Sequence, residues 1–211
     1  MNSADRFRGC MAGLAVGDAL GTTVEFKARG SFPPLTDMVG GGCFKLSPGQ
    51  WTDDTSMALC LGASLLECDG FDAGDQVSRY LRWLQQGYMS STGKFVDVGL
   101  TVAAALARHE RTGDPFSGPP EEDSAQQSEI IGSGYVVRSL EAALWCFMTE
   151  AGFDAVVLRA ANLGDDADTT AAVAGQLAGA FHGASGIRAS WLEKLALREE
   201  ILGLGERLGT A

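Results

Sequence analysis

Hydrophobic positions along this chain recur at three- and four-residue spacing, and the strict alternation that marks a half-buried strand is absent. From Asp5 onward Phe7, Cys10, Met11, Leu14 and Ala15 form one stripe, with Arg6 and Arg8 off it. This predicts a first helix running into Gly17-Asp18-Ala19-Leu20-Gly21, where Asp18 reads equally as a helix-end cap or as support for a site. Ser56 to Glu67 is apolar nearly all round and has no β-branched residue between its ends, which predicts a central helix capped by Thr52 or Asp53. A helix after Asp72 places Val77, Tyr80, Leu81 and Leu84 inward and Arg79, Arg82, Gln85 and Gln86 towards water, with Gly87 as its stop. Further helices are expected from Thr101 to about Arg111, from Tyr135 through Phe147 with Leu140, Ala143 and Leu144 facing the core, from Asp154 to Ala161, and from Asp168 to Phe181. Trp191, Leu192 and Leu195 give a terminal helix, and a frayed end begins at Gly203. The pattern as a whole predicts a compact all-α orthogonal bundle forming a single domain over 1–211.

Two intervals hold no period. Residues 30–49 contain Pro33, Pro34, Gly40, Gly41, Gly42 and Pro48 and read as a lid or a plain connection. Residues 112–128 gather Pro115, Pro119, Pro120 and Glu121-Glu122-Asp123, the clearest linker in the chain.

Composition narrows the function. A net charge of −11 argues against a nucleic-acid backbone as partner, because phosphate binding is driven by basic side chains. The five cysteines form no CxxC pair and read as reduced. No stretch has the length and apolarity of a membrane span or a secretory leader, so a cytoplasmic monomer is expected.

The chemistry concentrates in two oxygen-rich helix starts. Trp51-Thr52-Asp53-Asp54-Thr55 heads one apolar run, and Asp165-Asp166-Ala167-Asp168-Thr169-Thr170, after Gly164, heads another. Thr52, Asp53, Asp54, Asp166, Asp168 and Thr169 could supply six oxygen-bearing side chains to a pair of hard cations such as Mg²⁺ or Mn²⁺. Packing such carboxylates together without a cation would be strongly repulsive. The plainer alternative is that each cluster is an independent N-cap, which explains one aspartate well and three consecutive oxygen residues, twice over, poorly. His182, beside Gly183, is a weak candidate base; His109 reads as a surface residue.

These motifs, in order, resemble the ADP-ribosylglycohydrolase family: Arg8-Gly9-Cys10-Met11-Ala12-Gly13 leading into Gly17-Asp18-Ala19-Leu20-Gly21, then Trp51-Thr52-Asp53-Asp54-Thr55, then Tyr135-Val136-Val137 with Ser139 to Trp145, then Asn162 to Thr170. The resemblance implies an all-helical hydrolase with a binuclear Mg²⁺ or Mn²⁺ centre. Such an enzyme releases ADP-ribose from an acceptor, most closely arginine on a protein, with serine-linked or small conjugates as alternatives. Carried over motif by motif, it implies Thr52, Asp53, Asp54, Asp166, Asp168 and Thr169 as metal ligands, Asp53 or Asp54 as the group that takes a proton from water, and Glu25 on a loop near the reacting ribose. It further implies Tyr135, with Gly132 and Gly134, against the bound ADP-ribose, and Asp18 supporting the centre from behind. Members of the family are usually longer, with a central helical segment that lines the pyrophosphate and ribose pocket, whereas here residues 113–128 pass almost directly from one block to the next. A non-catalytic member that binds ADP-ribose through the same pocket is the alternative reading.

Overall fold

The computed structural model describes residues 2–117 and 136–210. It is all-α: nine α-helices and one 3₁₀ turn (Ala184–Gly186) are formed by the described residues, whose only β feature is an isolated bridge between Gly41 and Leu46. The helices are α1 (Ser3–Gly21), α2 (Asp53–Glu67), α3 (Ala73–Gln86), α4 (Leu100–Thr112), α5 (Val136–Thr149), α6 (Phe153–Ala161), α7 (Ala167–His182), α8 (Ala189–Lys194) and α9 (Arg198–Leu208). From residue 118 onward the expected 112–128 linker lies outside the described residues, as do Gly132, Gly134 and Tyr135.

The centre is the antiparallel pair α1 and α7. Along α1 a glycine falls every four residues, so all four share one face. A Cβ at Gly9 would stand 2.3 Å from the Gly179 carbonyl oxygen, at Gly13 2.1 Å from that of Gly175, at Gly17 1.9 Å from that of Ala171, and at Gly21 2.3 Å from the Asp168 Cα. The two backbones therefore touch along the whole contact, a closeness that no side chain at those positions would permit. Val16, Ala19 and Leu20 of α1, Val156 and Val157 of α6, and Ala171, Ala174 and Ala178 of α7 fill the core on either side of this seam.

Four expectations need correction. The apolar helix α2 flanks this centre, with Met57, Ala58, Leu61, Leu65 and Leu66 only half-buried. Arg79 does not face water: it is 6% exposed, pairs with Asp75 (Nε to Oδ2, 2.6 Å) and Glu67 (2.8 Å), and donates to the Tyr88 hydroxyl. Charge pairing with two carboxylates allows a guanidinium to be buried where periodicity alone assigns it to solvent. On α5 the buried face carries Ser139, Ala143 and Cys146, while Leu140 and Leu144 are exposed. The expected frayed end is instead the helix α9, with Ile201, Leu202 and Leu204 buried and Gly205 against the backbone of Phe7 and Arg8.

Candidate metal centre

The α1/α7 seam brings the C-terminal end of α1 beside the N-terminal end of α7, and α2 enters at the same point. Thr52 is the N-cap residue of α2 and Asp166 that of α7, yet neither side chain caps its own helix. The independent N-cap reading of the two clusters fails on this point. Their oxygens face each other instead.

One carboxylate oxygen from each of Asp53, Asp54 and Asp168 can be chosen so that all three lie within 4.8 Å of one another. Thr169 Oγ1 donates to Asp54 Oδ2 at 3.1 Å, and Thr52 Oγ1 lies 3.2 Å from Asp168 Oδ2, so both cross-links run between clusters more than a hundred residues apart. Asp166 is hydrogen-bonded with Asp168, Thr169 and Ser139 of α5. All six oxygen side chains expected to act together are thus in one place.

Glu25 joins them from the turn after α1, and the cause is a backbone clasp. Phe26 N–H donates to the Asp165 carbonyl (2.9 Å) and Asp165 N–H to that of Lys27 (2.8 Å), tying this turn to the residues just before α7. Glu25 is buried and hydrogen-bonded with Asp168. The Cys43 thiol lies 3.9 Å from Glu25 Oε2.

Burial of so many carboxyl groups raises their pKa values, and mutual repulsion adds to the effect. Asp168 is pushed up to about 10 by burial and by Asp18, Glu25, Asp54 and Asp166. Burial, with Asp97 and Asp53, brings Glu25 to about 7, and burial with Asp18 and Asp97 brings Asp53 to about 6. Asp54 lies well above the usual carboxylate range for the same reasons, and burial raises Asp166 too. No Lys or Arg is among the strongest influences on these groups. An all-oxygen donor set with excess negative charge fits a hard divalent cation, and Asp53, Asp54 and Asp168 could hold one.

Asp97 escaped the sequence reading. It sits at φ +53°, in the left-handed region, just before Gly99, whose N–H donates to Asp53 Oδ2 at 3.3 Å. The signal available was an aspartate two residues before a glycine in a segment without period, which is too common to single out. His182, by contrast, lies at the far end of α7 from Asp168, roughly 20 Å away at the helical rise, and cannot act as base here. The 30–49 interval is pinned: the Asn162 side chain bonds both the N–H and the carbonyl of Leu35, Asp37 accepts from Trp191 Nε1 and Lys194 Nζ, and Ala196 N–H donates to Gly49. These bonds tie it to the turn after α6 and to α8 and the residues that follow it. No described helix is long and apolar enough to cross a membrane.

Comparison with known proteins bears on this cluster. The sequence model of the family described as ADP-ribosylglycohydrolase matches residues 1–126 and 111–211. The chain is 32% identical to an ADP-ribosylarginine hydrolase of Serratia proteamaculans, covering 98% of this chain and 79% of that protein. It is 30% identical to the ADP-ribosyl-[dinitrogen reductase] glycohydrolase of Rhodospirillum rubrum, covering 93% and 92%. A solved structure described as an ADP-ribosylglycohydrolase-related protein complex superposes with a TM-score of 0.84 at 33% identity, covering 99% of this chain and 98% of that one. The Serratia alignment runs over 291 positions against 211 residues here, so at least 80 positions of that protein have no counterpart. The two family matches overlap at residues 111–126.

Proposed function

Because the chain belongs to the ADP-ribosylglycohydrolase family, we propose that it is a metal-dependent hydrolase that releases ADP-ribose from arginine side chains of modified proteins. The observation that carries this reading is the convergence of Thr52, Asp53, Asp54, Asp166, Asp168 and Thr169, with Glu25, at the meeting point of α1, α2 and α7. These six, without Glu25, are the residues that would hold two Mg²⁺ or Mn²⁺ ions. Bound divalent cations supply Lewis acidity, which fixes sugar hydroxyls and lowers the pKa of water.

The residues of the chain do the rest. Asp53, or its neighbour Asp54, takes a proton from the attacking water. Glu25, buried on the turn after α1 and hydrogen-bonded with Asp168, stands near the reacting ribose. The surrounding negative charge favours the oxocarbenium-like transition state at the anomeric carbon. Tyr135, Gly132 and Gly134 would lie against the ADP-ribose. The arginine acceptor rests on the similarity to the Serratia protein, whose name carries that activity.

A second reading, an ADP-ribose-binding protein without turnover, is favoured by the at least 80 positions of the Serratia protein that have no counterpart here. The deciding experiment measures free ADP-ribose released from an arginine-ADP-ribosylated protein with Mg²⁺, with Mn²⁺ and with chelator. Metal-dependent release is expected. Metal bound without release would select the second reading.

A further inference from the structure

Asp18 is 0% exposed and sits on α1 directly beneath the first turn of α2. Its Oδ1 accepts from Thr52 N–H (2.9 Å) and Thr52 O–H (2.8 Å). Its Oδ2 accepts from Thr55 N–H (3.0 Å) and Thr55 O–H (2.7 Å). Four donors occupy the roughly four lone-pair sites a carboxylate offers, so Asp18 has none left for a cation.

This arrangement has two consequences. The first-turn N–H groups of a helix are ordinarily satisfied by its N-cap side chain. Here a residue from another helix does that work, and Thr52, although at the N-cap, is released from it. The second consequence concerns a single proton. A hydroxyl carries one, and Thr52 Oγ1 lies nearer Asp18 Oδ1 (2.8 Å) than Asp168 Oδ2 (3.2 Å), so a proton given to the shorter contact leaves the lone pairs of that oxygen facing Asp168. A serine or threonine N-cap left to itself would turn its lone pairs to its own helix.

We infer that Asp18 is a positioning residue: by capping α2 in place of Thr52 and holding the Thr52 hydroxyl proton, it turns that hydroxyl into a lone-pair donor for a divalent cation. The inference rests on the metal-dependent reading above. It adds a polarity to the site that ligand identity alone does not give.

The test is a double-mutant cycle read as Mn²⁺ affinity by calorimetry on the full chain, with Asp18→Asn, Thr52→Val and both together. An amide can keep its oxygen towards only one of the two threonines, and with its NH₂ towards Thr52 it turns that hydroxyl proton onto Asp168. Each single change is expected to weaken Mn²⁺ binding about tenfold or more, in the range set by groups that orient metal ligands. The double variant should be no weaker than the worse single by more than about twofold, because both act through one oxygen. Multiplying effects, or an Asp18→Asn chain that binds as wild type does, would overturn the inference, since a cap that is merely structural does not couple to the Thr52 hydroxyl in metal affinity. If the wild-type chain binds no Mn²⁺, the metal reading itself falls, and this inference with it. Should Asp18→Asn fail to fold, the Mg²⁺-loaded wild type decides by NMR. A slowly exchanging Thr52 hydroxyl proton with Overhauser contacts to the Asp18 β-protons is expected, and a proton on the Asp168 side would refute the assignment.

Discussion

The seam between α1 and α7 and the outward face of α5 are built by opposite means. At the seam, glycines bring two backbones into contact, and the nearest atoms to an added Cβ are backbone atoms, which cannot move aside cheaply. On α5, Leu140, Leu144 and Met148 stand exposed, Met148 at 76%, so large apolar side chains touch little. The oxygen cluster grows out of the seam, where Asp18 and Asp168 occupy the ends of the two apposed helices. The cluster of candidate metal ligands thus lies at the close-packed meeting point of α1, α2 and α7, away from the apolar residues that α5 leaves exposed.

The harshest way to break this contrast is to wedge the seam. Gly13→Val is expected to cost about 3 kcal/mol or more, since two backbones must separate, and to lower the melting temperature by roughly 10 °C. A melting curve close to wild type would mean the seam yields, and the contrast with α5 would disappear. Next, Asp53→Asn combined with Asp166→Asn should reduce metal-dependent ADP-ribose release to background while leaving far-ultraviolet circular dichroism intact. Unchanged turnover in that variant would remove both residues from the site.

The pH dependence of the metal-free protein sharpens the same point. Carboxyls in the unfolded chain titrate near pH 4, whereas Asp53, Glu25 and Asp168 hold protons in the fold up to about 6, 7 and 10. Between those limits the folded protein binds more protons than the unfolded one, so its stability falls as pH rises. Melting temperature in chelator should therefore be higher at about pH 5.5 than at about pH 8, and Mg²⁺ should restore the loss at the higher pH while releasing protons. A flat profile would show that the carboxylates are not crowded as described. The smallest effect belongs to α5, where Leu144→Gln should alter stability by no more than about 0.5 kcal/mol. A large loss there would reveal that this face is covered.

Much of this was legible in the sequence because it depends on local order. Helices follow from apolar spacing, and two oxygen clusters each open an apolar run, so the positions of the candidate ligands could be read before any contact was known. The same reading could assign helix faces only from hydropathy. It therefore sent Arg79 to solvent, although Asp75 and Glu67 neutralise it in the interior, and it turned α5 so that Leu140 and Leu144 faced inward.

By itself the sequence determined the all-helical class and the residue types able to hold a hard cation, because each is a property of spacing along the chain, and the family, because its motifs stand in order and resemble those of known members. Only the tertiary structure decided that the two clusters share one site, that Glu25 and Asp97 flank it, and that Asp18 lies beneath Thr52 and Thr55. Those outcomes turn on the four-residue glycine stripe meeting its partner helix in one register, and on hydrogen bonds between residues 34 to 116 positions apart, distances over which local pattern carries no information.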